Sequence, residues 1–210
     1  MTTPSLLDAH HADLGRLVTL IDGVFAVAMT LLVLDLKLPS GTSGLAAALR
    51  QMLPGFLVYL IVFASIAGYW TQHHSAFRYI SQGDGRLILL SLVNLLFVTL
   101  YPLMASIVGA HPLEPLATIC LSANSLLYCL SAWAVWSHAA ARRELSAGDA
   151  ERRALQRLAR IMLLVAVCLA LAIPLAYLQV SLAYADWIVC APLAAWLGGL
   201  GRASGRRAGM

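Results

Sequence analysis

Residues 16–39 read Arg16-Leu-Val-Thr-Leu-Ile-Asp22-Gly-Val-Phe-Ala-Val-Ala-Met-Thr30-Leu-Leu-Val-Leu34-Asp-Leu-Lys-Leu-Pro39, and this stretch decides the fold. Asp22 and Asp35 bracket an uninterrupted apolar run, Gly23 to Leu34, of 12 residues. A helix needs about 20 apolar residues to cross a hydrocarbon layer about 30 Å thick. For the segment to span, at least one aspartate must lie at membrane depth, where an ionised carboxylate costs at least about 2.5 kcal/mol unless a partner or water meets it. Asp22 is therefore expected to face protein or an aqueous path.

Composition places the whole chain in lipid. Of 210 residues, 60% are hydrophobic and 11% charged, against about half and a quarter in soluble domains. Mean hydropathy is +0.80, and a chain this short has too little interior to hide that much apolar surface. A cytosolic enzyme is excluded on these grounds. The N-terminal residues lack the basic region, apolar stretch and small-residue cleavage site of a secretory signal, so the first hydrophobic segment is expected to be retained. Cys120, Cys129, Cys168 and Cys190 stand singly in apolar stretches and read as small core residues. No His/Cys/carboxylate cage and no serine nucleophile motif occurs, so neither a metal site nor a catalytic residue is expected, and no cofactor is called for.

Apolar blocks bounded by charge, Pro or Gly predict an all-α protein of six membrane spans forming one unit over residues 1–210. The spans run approximately Leu17–Leu38, Leu53–His73, Leu87–Val108, Leu113–His138, Leu158–Leu178 and Leu182–Leu200. The last two are separated only by a few residues around Gln179–Ser181 and should pair tightly. The run Ala139 to Gln156 predicts a helical extension of the fifth span with a solvated face.

An even number of spans puts both termini on one side. That side carries Arg16, Arg78, Arg86, Arg142, Arg143, Arg152, Arg153, Arg157, Arg160, Arg202, Arg206 and Arg207, 12 of the 14 basic residues, whereas the other keeps Lys37 and Arg50. The positive-inside rule then faces both termini to the cytoplasm. Basic residues placed in short runs between apolar blocks speak for bilayer orientation and against nucleic acid as a partner.

At about 100° per residue, Leu20, Val24, Val27, Leu31, Leu34 and Leu38 form one stripe of the first span, and Thr19, Asp22, Ala26 and Thr30 a second. Asp22 lies roughly 140° from Val27, so one face can bind the protein's own helices while the other meets copies of itself. Ordinary helix packing gives the Val/Leu stripe the same periodicity, and both readings stand on sequence alone. By depth, Arg16, Thr19, Asp22, Trp70, His73, His74, Ser91 and Asn94 can share one buried polar cluster joining spans one, two and three. Such a network fixes helix register; a proton relay through Asp22 and a histidine is the sharper alternative.

These residues carry a pattern. The stretch Arg16 to Pro39 resembles the first-span signature of the transmembrane protein 175 family, the endosomal/lysosomal potassium channels and their bacterial relatives. Tyr69-Trp70-Thr-Gln-His73-His74-Ser-Ala-Phe77-Arg78, Leu92-Val-Asn94-Leu-Leu-Phe97 and Tyr101-Pro102-Leu103 extend the resemblance through the first three spans. The family's Phe-Ser-Asp triplet is here Leu20, Ile21 and Asp22, so two of its three residues differ.

The resemblance implies a potassium-permeable cation channel in which the first span of each subunit lines a central pore. Val27, Leu31 and Leu34 would form its narrowest point. One six-span unit implies a homotetramer, so the expected partners are three further copies and membrane lipid, in a bacterial inner (plasma) membrane. Potassium would be the permeating ion. Rings of aliphatic side chains would gate by wetting and dewetting, and no carbonyl filter motif is present. A proton-coupled carrier or proton leak using Asp22 with His73 or His74 is the competing function, and a membrane scaffold without ion flux a third.

Overall fold

The computed structural model describes residues 6–38 and 44–183, and these are all helical apart from their connections. Helix α1 runs Leu6–Leu31 and tightens into a 3-10 turn, Leu32–Asp35. Helix α2 is Leu45–Phe77, α3 Gly85–Thr99, α4 Tyr101–Ala110, α5 Pro115–Ala141 and α6 Asp149–Leu178. Among the described residues five segments are long and apolar enough to cross a bilayer: Leu14–Leu34, Leu45–Phe77, Gly85–Ala110, Pro115–Ala141 and Asp149–Leu178. The sixth span, expected over Leu182–Leu200, lies outside the described residues beyond Ala183, as do Cys190 and the arginines of the tail. Both α2 and α6 begin about eight residues before the apolar blocks that announced them, because hydropathy marks the lipid-immersed part of a helix and not its ends.

The third span differs from the sequence reading in being two helices. Pro102 supplies no backbone N–H, and the chain breaks at Leu100 between α3 and α4. The freed backbone finds other partners, as it must in a medium without water. Asn124 Nδ2 of α5 donates to Phe97 O at 3.1 Å, and the Tyr101 hydroxyl donates to Ser125 Oγ at 3.1 Å. Tyr69, Tyr101 and Tyr128 gather beside the break, with the Tyr69 and Tyr128 rings 4.2 Å apart. The break is thus flanked by contacts from both α2 and α5.

Among the described helices, α5 and α6 make the most extensive contact. The buried positions of both helices are rich in small residues, among them Ala132, Ala139 and Ala140 on α5 and Ala159, Ala166, Ala172 and Ala176 on α6. Small side chains let two helices approach closely, which is the main attraction left when lipid is as apolar as leucine. Cys129 is buried beside the Tyr69 side chain, whereas Cys120 and Cys168 are half-buried; all three are free thiols.

At the end of the bundle where α2 stops and α3 starts, the two interhelical loops are stitched together. Ile80 and Ser146 form an antiparallel bridge, with Ser81 N donating to Leu145 O at 2.8 Å and Ala147 N to Tyr79 O at 3.1 Å. Asp84 caps α3 by accepting from Leu87 N at 2.6 Å and pairs with His138 Nε2 at 2.9 Å. This end carries the described arginines from Arg78 to Arg160.

Candidate functional site

Helix α1 has three kinds of face. Leu17, Ile21, Phe25, Ala28 and Leu32 follow 4-4-3-4 spacing and are all buried in the main core. This stripe, not the Thr19/Asp22/Ala26/Thr30 stripe singled out from sequence, is the one packed on the subunit's own helices. Of the four polar-stripe residues only Asp22 reaches another helix. Thr19 Oγ1 donates to Gly15 O at 3.0 Å and Thr30 Oγ1 to Val27 O at 2.9 Å, so both hydroxyls are satisfied within α1.

The aliphatic stripe is turned away from the subunit. Val27 is 56% exposed, Leu31 42% and Leu34 66%, while Val24 sits half-buried at the edge of the core. Beside this stripe runs an open apolar groove of about 390 Å³, bounded by Leu20, Gly23, Val24, Val27 and Leu31 of α1 and by Thr99 at the end of α3. A Cβ on Gly23 would meet nothing within 4 Å, so the groove is not filled by this chain's own atoms.

The expected single polar cluster is resolved into two. In the first, Trp70 Nε1 donates to Asp22 Oδ1 at 2.9 Å, and the His74 ring stacks on Trp70 with centroids 5.4 Å apart. His74 Nε2 in turn lies 3.4 Å from Arg78 Nη2. A neutral indole N–H, rather than a basic group, meets the carboxylate. Arg16 is exposed and is not joined to Asp22, since a helix displaces residues six apart by about 9 Å along the axis and 120° around it.

The second cluster centres on two fully buried side chains, His73 and Asn94. His73 Nε2 bonds Asn94 Oδ1 at 2.8 Å, and Asn94 Nδ2 donates to Tyr128 O at 3.0 Å and to Ser131 Oγ at 2.8 Å. A carbonyl only accepts, so Tyr128 O fixes which end of the Asn94 amide is the nitrogen. Asn94 Oδ1 is then the acceptor from His73, and the His73 proton sits on Nε2. His73 Nδ1 has no hydrogen-bond partner among the described residues. Phe25, Phe77 and Trp136 enclose the ring at centroid distances of 5.6, 5.7 and 4.8 Å. Ser91, expected in the network, is buried with no hydrogen-bond partner among the described residues.

Sequence reasoning missed α5. Tyr128, Ser131, Asn124, Ser125 and His138 all hold the first three spans in place, although the fourth span offers no motif. The signal was present: Asn124 and Ser131 are polar groups inside an apolar block, and such groups must find partners. Beyond the membrane-length segments, burial pushes the Asp84 carboxyl up, but the Leu87 amide, His138 and Arg142 together hold it below its ordinary value. Among the described residues no three His, Cys, Asp or Glu side chains converge to hold a metal ion.

A bundle of membrane-length helices whose first member is packed on one face and open along another defines a polytopic membrane protein with an unfilled groove on α1. The sequence profile described as "Endosomal/lysosomal potassium channel TMEM175" matches residues 16–102. A protein of Chamaesiphon minutus named a potassium channel is 32% identical over 149 residues, 68% of this chain and 73% of the relative. Another from Streptomyces collinus, also named a potassium channel, is 34% identical over 130 residues, 59% of this chain and 63% of the relative. The mouse protein named endosomal/lysosomal proton channel TMEM175 is 30% identical over 145 residues, but this chain spans only 29% of its length. Among solved structures, a crystal structure titled as a lysosomal potassium-selective channel TMEM175 homolog from Chamaesiphon minutus superposes with a TM-score of 0.77 at 25% identity. It covers 90% of this chain and 98% of that one. The chain belongs to the TMEM175 family, whose members found here are ion channels and not enzymes.

Proposed function

We propose that this chain is the subunit of a potassium-permeable cation channel, a homotetramer in the plasma membrane with α1 of each subunit lining a central pore. Val27, Leu31 and Leu34 form its hydrophobic constriction, and both termini face the cytoplasm. The observation that carries this reading is the open aliphatic stripe of α1 beside a core-packed one: a helix fixed by Leu17, Phe25 and Leu32 presents Val27, Leu31 and Leu34 outward, away from its own subunit. Four such stripes meeting on an axis leave a narrow apolar passage that conducts when wetted. Ions are discriminated by the width of the ring and the cost of shedding water, since no carbonyl filter is encoded.

Leu31→Ala tests it. Unitary current of the purified protein in planar bilayers is expected to rise several-fold, and a conductance equal to wild type overturns the assignment of the constriction. Subunit counting by light scattering is expected to give four.

A second reading is favoured by one contact. The Asp22–Trp70–His74–Arg78 series runs along the α1/α2 seam, and the mammalian relatives are named proton channels. In that reading Asp22 binds a proton in transit and His74, not the enclosed His73, receives it. Asp22→Asn in liposomes under a pH gradient abolishes flux if this is so; unaltered flux removes it.

A further inference from the structure

Helix α6 carries a stripe that the channel reading does not use. Arg153, Arg157, Arg160, Leu164, Val167 and Leu171 follow 4-3-4-3-4 spacing and fall within about 40° of one line along the helix. All six are exposed, the three apolar ones at 56%, 55% and 57%. The opposite side of α6, with Leu155, Ala159, Met162, Ala166 and Leu169, is buried. The stripe therefore points away from the subunit's own core.

No ion pair among the described residues compensates its charge. The ion pairs among the described residues are His111–Glu114 and His138–Asp84, and neither uses an arginine. Arg152, next to the stripe in sequence, turns inward instead: its Nε donates to Ala140 O at 2.7 Å and caps α5. Arg153, Arg157 and Arg160 are left as three neighbouring cations over about 10 Å of helix. Within the next four residues the same line becomes apolar, and it remains so to Leu178, about 21 Å further on.

We propose that this stripe binds a phospholipid of net negative charge, its phosphate on the three guanidinium groups and an acyl chain along Leu164, Val167 and Leu171. The change from charge to hydrocarbon along one line matches the headgroup-to-tail order of a single lipid molecule. A soluble anion satisfies the arginines and leaves the leucines bare. A zwitterionic lipid brings its own ammonium into a cluster of cations, so net negative charge is selected. Guanidinium suits the partner because it meets phosphate oxygens with two parallel N–H bonds. The site requires that α6 spans the bilayer and that the sixth span pairs with another face of it; it is independent of where the pore lies.

The test uses the full chain in nanodiscs of equal phosphatidylglycerol and phosphatidylcholine, with lipids retained after transfer to detergent counted by native mass spectrometry. Wild type is expected to retain phosphatidylglycerol preferentially, and that preference is expected to fall about fivefold for each arginine replaced in Arg153→Gln, Arg157→Gln and Arg160→Gln. The corresponding Arg→Lys triple keeps a preference. A control triple at the same end of the bundle, Arg78→Gln, Arg86→Gln and Arg143→Gln, keeps it in full. Equal retention of both lipids by wild type, or equal losses in the two glutamine triples, overturns the site. So does displacement of the lipid by millimolar glycerol 3-phosphate, which would mean that phosphate alone is bound. A changed subunit number in the Arg153/Arg157/Arg160 variant would place a second copy on the stripe and also overturns it. Should that triple not fold, Arg157→Gln alone carries the test, and unchanged retention there refutes the proposal.

Discussion

The two apolar faces of α1 are nearly indistinguishable in composition and opposite in placement. Leu17, Ile21, Phe25, Ala28 and Leu32 are at most 5% exposed, whereas Leu20, Val27, Leu31 and Leu34 range from 42% to 66%. The stripes are only about 100° apart, with Asp22 on the far flank of the packed one. In water, burial would separate two such faces from a polar one. In lipid both are equally at home, so hydrophobicity cannot choose between them. Directional contacts choose: the Trp70 N–H on Asp22 and the ring of Phe25 against His73 set the rotation of the helix. The open face is what remains.

That contrast can be broken most severely at Phe25. Phe25→Ala removes the largest side chain of the packed face and is expected to cost about 3 kcal/mol in reversible unfolding, whereas Val27→Ala changes it by less than about 0.5 kcal/mol. Equal losses at the two sites would mean that the faces are not different. Next in size is Asn94→Leu, which strands His73 Nε2 in the interior behind Phe25, while the Ser131 hydroxyl keeps its bond to Tyr128 O. Destabilisation of about 2–3 kcal/mol is expected by the same measurement, and a neutral result would show that the network does not hold the packed face.

Trp70→Phe is gentler. It keeps the ring stacking and deletes one hydrogen bond to a partly exposed carboxylate, a loss of about 1.5 kcal/mol. A double-mutant cycle with Asp22→Asn isolates that bond, and coupling near zero would deny it a part in fixing the rotation.

The smallest effect is at the stitched end. Asp84 titrates below its ordinary value in the folded protein, so the folded form binds the proton more weakly than the unfolded chain does. Its stabilising contribution is present above the unfolded pKa of about 3.9 and is lost as pH falls through the lower folded value. The melting temperature of wild type is expected to drop more between pH 6 and pH 3 than that of Asp84→Asn, by a degree or two at about 0.5 kcal/mol. Parallel curves would show that the Asp84–His138 pair contributes nothing to the end where the α2–α3 and α5–α6 connections meet.

Legibility followed the kind of force involved. Span number and approximate place were readable for the five described segments because a bilayer demands a fixed length of apolar helix. Asp22 declared itself by cost alone, and a partner was found for it on α2. The identity of that partner was within reach, since Trp70 was among the residues matched by depth. Arg16 and Thr19 were drawn into the cluster wrongly because depth says nothing about angle. Tyr128, Ser131 and Asn124 were overlooked because their bonds are long-range and lie in a span with no recognisable pattern. The division of the third span at Leu100 was hidden for a related reason: Pro102 is tolerated in membrane helices, and the Asn124 amide that meets the Phe97 carbonyl beside the break comes from α5.

Sequence by itself determined the medium, the family and the need to neutralise Asp22, since each rests on composition or on residues adjacent in the chain. Tertiary structure alone decided which aliphatic stripe of α1 is core and which is open, that His73 is walled in by Phe25, Phe77 and Trp136 while His74 stacks outside, and that Arg152 turns inward where Arg153 does not. The physical reason is that lipid supplies no preference among apolar faces. Only the positions of rings, amides and carbonyls on neighbouring helices break the tie, and those positions exist only once the helices have met.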